Sequence, residues 1–351
     1  MKICLINNLF APYNRGGAEK VCAQMAQDFK SQNNEVFIIS SKPKLPNLKK
    51  SADDNIYYLN SEFYNLEDKS IPQRLVWHFK NIFSFKKSRQ VLAILKQEKP
   101  DLIISHNLMG LGFMTVRAIR KSGIKHYHFL HDIQLLHPSG LIIFGEEQKM
   151  KQLPAKLYRF FTKRIMKSPD LVISPSNWLV REHRKYGFFK NSAIEIRKFS
   201  DIFINNEPAV NTNDNSEVKH LLFAGQIESH KGIIFLIEAF LNLASSDMTL
   251  KIAGHGSLLQ KAKELGVNDK RISFLGNLTK TELLKEMRDS QALIVPSLCY
   301  ENSPLIIAEA KNVGLRVIAS QIGGIPEALS NTDLLFKPGS ETDLFKQINT
   351  N

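Results

Sequence analysis

The stretch Leu293–Leu329 constrains the fold more than any other part of the chain. Ala292–Val295 is a short apolar run with β-branched residues and reads as a buried strand. A turn-like segment ends in Asn302-Ser303-Pro304, where Ser303 is expected to cap a helix and Pro304 to take its first position. That helix should run to Asn312 or Val313 and stop at Gly314. Arg316–Ser320 reads as a second strand, and Ile322-Gly323-Gly324-Ile325-Pro326 leads into another short helix. Strand, loop, helix, repeated, is the unit of a mostly parallel sheet covered by helices. Ligands of such sheets sit beyond the carboxyl ends of the strands. Free N–H groups at the helix start favour an anion there. Glu301 precedes the helix and Glu309 lies along it. An anion site between two acids suits a ligand with both phosphate and hydroxyl groups. Taken as isolated residues, the same two glutamates read as solvent-exposed acids.

The whole stretch resembles the retaining glycosyltransferases of family 4, whose fold is GT-B: two Rossmann-like domains facing across a cleft. Their signature is E-x7-E within a phrase like E-G-x-P-L-x-x-x-E-A. Here Glu301 and Glu309 enclose Ser303-Pro304-Leu305, Ala310 follows, and Gly-Gly-Ile-Pro-Glu at 323–327 also fits. The resemblance implies that Glu301 contacts the donor sugar near the reacting centre. It implies that Glu309 holds the nucleotide ribose, with Ser303 and Leu305 also on the donor.

Composition sets the frame for this reading. A chain of 351 residues allows two domains, each with its own core. No run approaches the length of a membrane span. Met1–Asn7 reads as a strand rather than a secretion signal. Cys4, Cys22 and Cys299 form neither a metal-ligand spacing nor a disulfide framework, so a cytoplasmic location is expected. The formal charge of +13, spread over scattered basic segments, calls for an anionic partner: nucleic acid, an acidic membrane face or a phosphorylated small molecule. Without a zinc-finger or RNA-binding phrase, a nucleic-acid partner is disfavoured.

Along the N-terminal half, Lys2–Ile6 reads as the first strand, followed by a loop ending in Gly16-Gly17 and a helix from about Ala18. The double glycine permits close backbone approach to a ligand. Gly16-Gly17-Ala18-Glu19 again resembles family 4, where this loop lies against the donor phosphates or the acceptor. It is not G-x-G-x-x-G, which disfavours a dinucleotide oxidoreductase. Residues 72–97 read as largely helical, basic and aromatic; such a helix packs on the sheet or lies on an anionic membrane. Leu157–Lys167 is also basic and aromatic. Leu102–His106 and Lys125–His131 read as strands, and His126 and His128 share one face. A metal site there lacks a convincing third ligand. His131-Asp132 resembles the family's histidine-aspartate phrase, which implies that His131 lies near the donor sugar. The segment from His137 to Lys151 is the expected acceptor side.

Where the family usually has asparagine-glycine, this chain has Arg197-Lys198-Phe199-Ser200-Asp201. Residues 205–218 are polar and read as a linker between domains at 1–204 and 219–351. After the strand Lys219–Ala224 comes Gly225-Gln226-Ile227-Glu228-Ser229-His230-Lys231-Gly232. This resembles the family's glycine-arginine-leucine…lysine-glycine phrase, which places Lys231 on the donor pyrophosphate. Gln226 stands at the usual arginine, and a glutamine cannot neutralise phosphate; a nearby lysine, Arg15 or His230 is the expected compensation. Gly254-His255-Gly256 lets a base or phosphate approach, and the base is expected near Gly276-Asn277. The C-terminal domain is expected to be incomplete, because two or more further helices normally follow in the family.

Together these readings imply a retaining hexosyltransferase using a nucleotide-diphospho-sugar, with no metal or other cofactor. The implied acceptor is a glycan or lipid-linked saccharide in cell-surface polysaccharide biosynthesis, handled as a peripheral protein at the inner membrane face. The alternative is an inactive GT-B-like binding or scaffold protein.

Overall fold

The structure, a computed structural model, describes residues 1–13, 16–43, 55–66, 69–202, 219–243 and 247–349. The expected linker at 205–218 and Arg15 lie outside the described residues. The chain forms two compact units. The first comprises Met1–Leu141 and Gln148–Arg197; the second comprises Ile142–Glu147 and Lys198–Asn351. The division therefore differs from a single cut near residue 204: a short segment from the N-terminal half belongs to the second unit, which resumes at Lys198.

The first unit is built on β1 (Lys2–Ile6), β2 (Glu35–Pro43), β3 (Ile56–Ser61), β4 (Leu102–Ser105), β5 (Lys125–Phe129), β6 (Leu171–Ser174) and β7 (Ala193–Ile196). Among the described residues they lie in the order β3-β2-β1-β4-β5-β6-β7, with every pairing parallel. The second unit is built on β8 (His220–Ala224), β9 (Thr249–Ala253), β10 (Ile272–Gly276), β11 (Ala292–Val295), β12 (Arg316–Ser320) and β13 (Leu334–Phe336), in the order β10-β9-β8-β11-β12-β13. Each sheet reverses its strand order once, between β1 and β4 in the first and between β8 and β11 in the second. That reversal opens a crevice at the carboxyl ends of the two central strands.

Strands covered on both faces need apolar residues at successive positions. In the second unit Leu221 and Phe223 pack on one face with Leu236, Ile237 and Phe240 of the helix Ile233–Leu241. Leu222, Leu293 and Val295 pack on the other with Ile307 and Ala310 of the helix Leu305–Asn312. The helical turn Phe199–Ile202, where the family has asparagine-glycine, buries Phe199 and Ile202 and lies beside the helix Leu305–Asn312.

Two local expectations are corrected. Pro304, not Ser303, is the N-cap, and the helix starts at Leu305; Pro304 sits at φ −63°, ψ 125°, in the extended region. The basic aromatic stretch 72–97 is two helices, Ile71–Ile82 and Phe85–Glu98, broken at Phe83-Ser84. The break has a tertiary cause. The Asn81 carbonyl accepts from Phe113 N–H and its side chain from Gly110 N–H, so the end of the first helix is tied to the loop after β4.

Candidate active site

In the second unit the loops after β8 and β11 flank the reversal point and bring Lys231 and Glu301 together. Lys231 Nζ lies 2.7 Å from Glu301 Oε2. Ser297 donates its hydroxyl to the other carboxylate oxygen. Only 25% of the Lys231 side chain and 12% of the Glu301 side chain is exposed. Burial alone would pull Lys231 down and push Glu301 up; their mutual charge wins, and Lys231 is held above and Glu301 below its ordinary range. The pair is thus ionised at neutral pH. The E-x7-E phrase picks out Glu301, and Ser297 four residues earlier went unnoticed because nothing local distinguishes it from any strand-end serine.

The rim that holds this pair is knitted by backbone. Leu298 N–H donates to His230 O at 2.9 Å, joining the β8 and β11 loops. Gly324 N–H donates to Glu301 O at 2.8 Å, joining the β12 loop. Gly232, at φ +74°, sits so close to Pro296 that a Cβ would lie 1.9 Å from its carbonyl oxygen. Gly232→Ala is therefore expected to cost about 2–5 kcal/mol through left-handed strain and overlap. Guanidinium unfolding followed by circular dichroism checks it. Gly254 is tight for a related reason: its missing side chain is replaced by the carbonyl of Gly225, with a Cβ only 1.8 Å away. The close approach it permits is between two loops.

Glu309 is half-buried on the helix Leu305–Asn312, with Ser303 and Leu305 half-buried at the start of that helix. Gln226 is exposed after β8. His230, offered above as compensation for the missing arginine, is held below its usual range by burial and by Lys231, so it supplies hydrogen bonding rather than charge at neutral pH. Lys231 is then the cation that the described β8 loop places beside Glu301.

A feature with no signature in the sequence is the segment Ile142–Glu147. Ile143 forms an antiparallel bridge with Cys299, Phe144 N–H donates to Leu298 O and Tyr300 N–H donates to Ile142 O, each at 2.9 Å. Tyr300 Oη donates to Glu147 at 2.9 Å. This clip lies along the loop that carries Glu301, and its partners are at least 153 residues apart. Phe144→Pro deletes one N–H of the clip. It is expected to lower turnover on the order of 10–100-fold by misplacing Glu301. Tyr300→Phe, which keeps the backbone pairing, should cost much less; initial rates for both variants check this.

In the first unit, polar side chains gather beyond β1, β4 and β5. Gly16 is the N-cap of the helix Gly17–Ser31, and its N–H donates to Glu19 at 2.5 Å. His131 Nε2 lies 2.8 Å from Nδ1 of the buried His106, and both rings stack on Phe129. Among the described residues His106 Nε2 is buried without a hydrogen-bond partner. Burial lowers His106 to about 3 and His131 well below its usual range, so the pair is neutral. Asp132 is raised to about 6 by burial, against hydrogen bonds from Gln134 N–H (2.7 Å) and Asn107 (3.1 Å). Behind them Ser105 Oγ lies 2.7 Å from His126 Nε2 and 2.8 Å from His128 Nδ1. One hydroxyl can donate to one neutral ring and accept from the other, which accounts for this histidine-rich strand through hydrogen bonding. His106 was legible as a strand-end residue, but its pairing with His131 was not.

Two doubly wound parallel sheets, one with an ionised lysine–glutamate pair at its reversal point, define the class of nucleotide-handling α/β proteins. The sequence matches the model of Glycosyltransferase Family 4 over residues 15–196 and that of Glycosyl transferases group 1 over residues 218–350. The chain belongs to glycosyltransferase family 4 and is a glycosyltransferase with the GT-B fold. It is 25% identical over 341 residues to an uncharacterized 42.6 kDa protein in the cps region of Klebsiella pneumoniae, covering 93% of this chain and 87% of that one. Two solved structures share the fold at TM-score 0.66 and 16% identity, each match covering 99% of this chain and 89% of the other. One is a lipopolysaccharide outer core galactosyltransferase; the other is the Anabaena protein HepE in complex with UDP-glucose.

Proposed function

We propose that the chain transfers a hexosyl group, with retention of configuration, from a nucleotide-diphospho-sugar to a glycan or lipid-linked saccharide in cell-surface polysaccharide biosynthesis. The observation that carries this reading is the Lys231–Glu301 pair at the reversal point of the second sheet. A diphosphate arriving there competes with the carboxylate for the ammonium group. Lys231 then neutralises the leaving group, and Glu301 is released toward the sugar hydroxyls. Glu309 takes the ribose and His131 a sugar hydroxyl. The bond from the anomeric carbon to the phosphate oxygen breaks as the acceptor oxygen bonds from the same face. The acceptor proton passes to the departing phosphate. The HepE complex with UDP-glucose supports a uridine donor, and the galactosyltransferase of the lipopolysaccharide core supports a saccharide acceptor.

Calorimetric titration of the purified chain with UDP- and GDP-linked sugars tests the proposal. One donor should bind, and Lys231→Ala and Glu309→Ala should both lose it. Binding by none of the donors would overturn it, and a donor that binds without transfer to any saccharide would favour the scaffold reading instead.

A further inference from the structure

We propose that the helices Ile71–Ile82 and Leu153–Met166 of the first unit form a docking face for an anionic lipid surface. The choice of a membrane as occupant draws on the lipid-linked acceptor proposed above, and the face itself is read from charge and exposure. The positive charge of the chain is not scattered. Residues 69–97 and 149–169 hold fourteen of the 47 Lys and Arg and no Asp or Glu. The rest of the chain, with 33 basic and 34 acidic side chains, is close to neutral. The whole formal excess therefore sits on two stretches.

The same two stretches expose large apolar side chains. Leu75, Val76 and Phe79 are 53–62% exposed on the first helix, and Leu153, Leu157 and Phe160 are 48–66% exposed on the second. The spacings 75/76/79 and 153/157/160 each put these residues on one side of their helix. The second helix buries its other side through Ala155, Tyr158, Thr162 and Met166, so its amphipathic pattern is doubled: one apolar stripe in the core and one in solvent. A seam of rings joins the two helices. Phe79 meets Phe83 at 4.8 Å, Phe83 meets Phe161 at 5.3 Å, and Phe161 meets Phe160 at 5.3 Å. Arg74, Lys80, Lys156, Lys163 and Arg164 belong to these helices, and Arg164 lies over the Phe160 ring at 5.3 Å.

Exposed apolar patches rimmed by polar groups mark interaction surfaces. A basic rim around an apolar stripe matches an acidic headgroup layer over acyl chains, with Lys and Arg reaching to the headgroups while Leu and Phe enter the boundary. A second copy of the same face would set like charges against each other, and a nucleic acid would leave the aliphatic Leu75, Val76, Leu153 and Leu157 without a partner. Among the described residues no helix is long and apolar enough to cross a membrane, so contact is in the plane of the surface.

Flotation of the full chain with phosphatidylcholine vesicles, with and without phosphatidylglycerol, tests the proposal. Wild type should float only with the anionic vesicles, and less at high salt. Lys80→Gln with Lys156→Gln should lower the partition coefficient about 30-fold. Phe79→Ser with Phe160→Ser should lower it on the order of tenfold or more. All four positions are on the surface, so melting temperature and donor titration without vesicles should stay at wild-type values. Vesicle binding with no donor binding would sink the transferase reading and leave this face standing. Three results would overturn the face: no vesicle binding, equal binding to neutral vesicles, or oligonucleotide binding or self-association removed by these substitutions in place of vesicle binding.

Discussion

Lys231→Ala is expected to lower kcat/KM for the donor by about 100–1000-fold, the effect typical of removing one preorganised group that stabilises transition-state charge. The loss should fall on both donor affinity and turnover, because the ammonium meets the diphosphate in the ground state and gains as the leaving group charges. The structure also predicts a side effect. Without Lys231, the Glu301 carboxylate keeps the Ser297 hydroxyl but loses its cation at 2.7 Å. Its pKa should rise toward or above the ordinary carboxylate range, and stability at neutral pH should fall by about 1–2 kcal/mol, a partly buried pair being intermediate between surface and core. Lys231→Ala with Glu301→Ala should recover stability but not catalysis. That split separates the charge supplied to substrate from the charge that holds the loop. A variant with Lys231→Ala and near-wild-type kinetics would remove the lysine from the mechanism.

The second large effect is acid unfolding of the first unit before the second. Seven of the ten histidines lie in the first unit. His106, His126, His128 and His183 are buried there. Burial is the main cause holding His126 and His183 to about 4 and His106 to about 3, with His128 well below its usual range. The unfolded chain binds protons to these rings near pH 6.5 and the folded chain does not, so their contribution to stability is present above that pH and is lost as pH falls. Each ring removes about 1.4 kcal/mol per pH unit, so four remove about 5–6. Asp132, raised to about 6, acts in the opposite sense, but it is one group against four. Against a typical stability of about 5–15 kcal/mol, unfolding of this unit is expected near pH 5. Trp77 and Trp178 are the only tryptophans and both lie in this unit, so their fluorescence reports it alone. A fluorescence signal unchanged down to pH 4 would contradict the account.

The alternation of apolar runs with helical segments carries the parallel sheets, because buried strands need consecutive apolar residues and that demand is local. The phrase from Glu301 to Ala310 marks the helix Leu305–Asn312 for a different reason, its resemblance to family 4. Ser303 failed as a cap because Pro304 itself adopts the extended geometry of a cap. The split of 72–97 could not be read because its cause is Asn81 bonding to the loop after β4 rather than any Gly or Pro. The concentration of charge was present in the sequence as a count. Its meaning required exposure, since Phe79 and Trp77 look alike until one is 62% exposed and the other 7%. The His106–His131 contact and the Tyr300–Glu147 contact join residues 25 and 153 apart, beyond any local pattern.

The placement of Ile142–Glu147 in the second unit bears on modularity. A family of two-domain enzymes invites recombination at the polar segment between the halves, with the donor specificity of one parent grafted onto the acceptor specificity of another. In this chain such a graft would carry the Glu301 loop from one parent and its antiparallel partner at Ile143 from the other. The two halves are therefore not interchangeable cassettes. A working chimera must either match residues 142–147 to the donor half or exchange them with it.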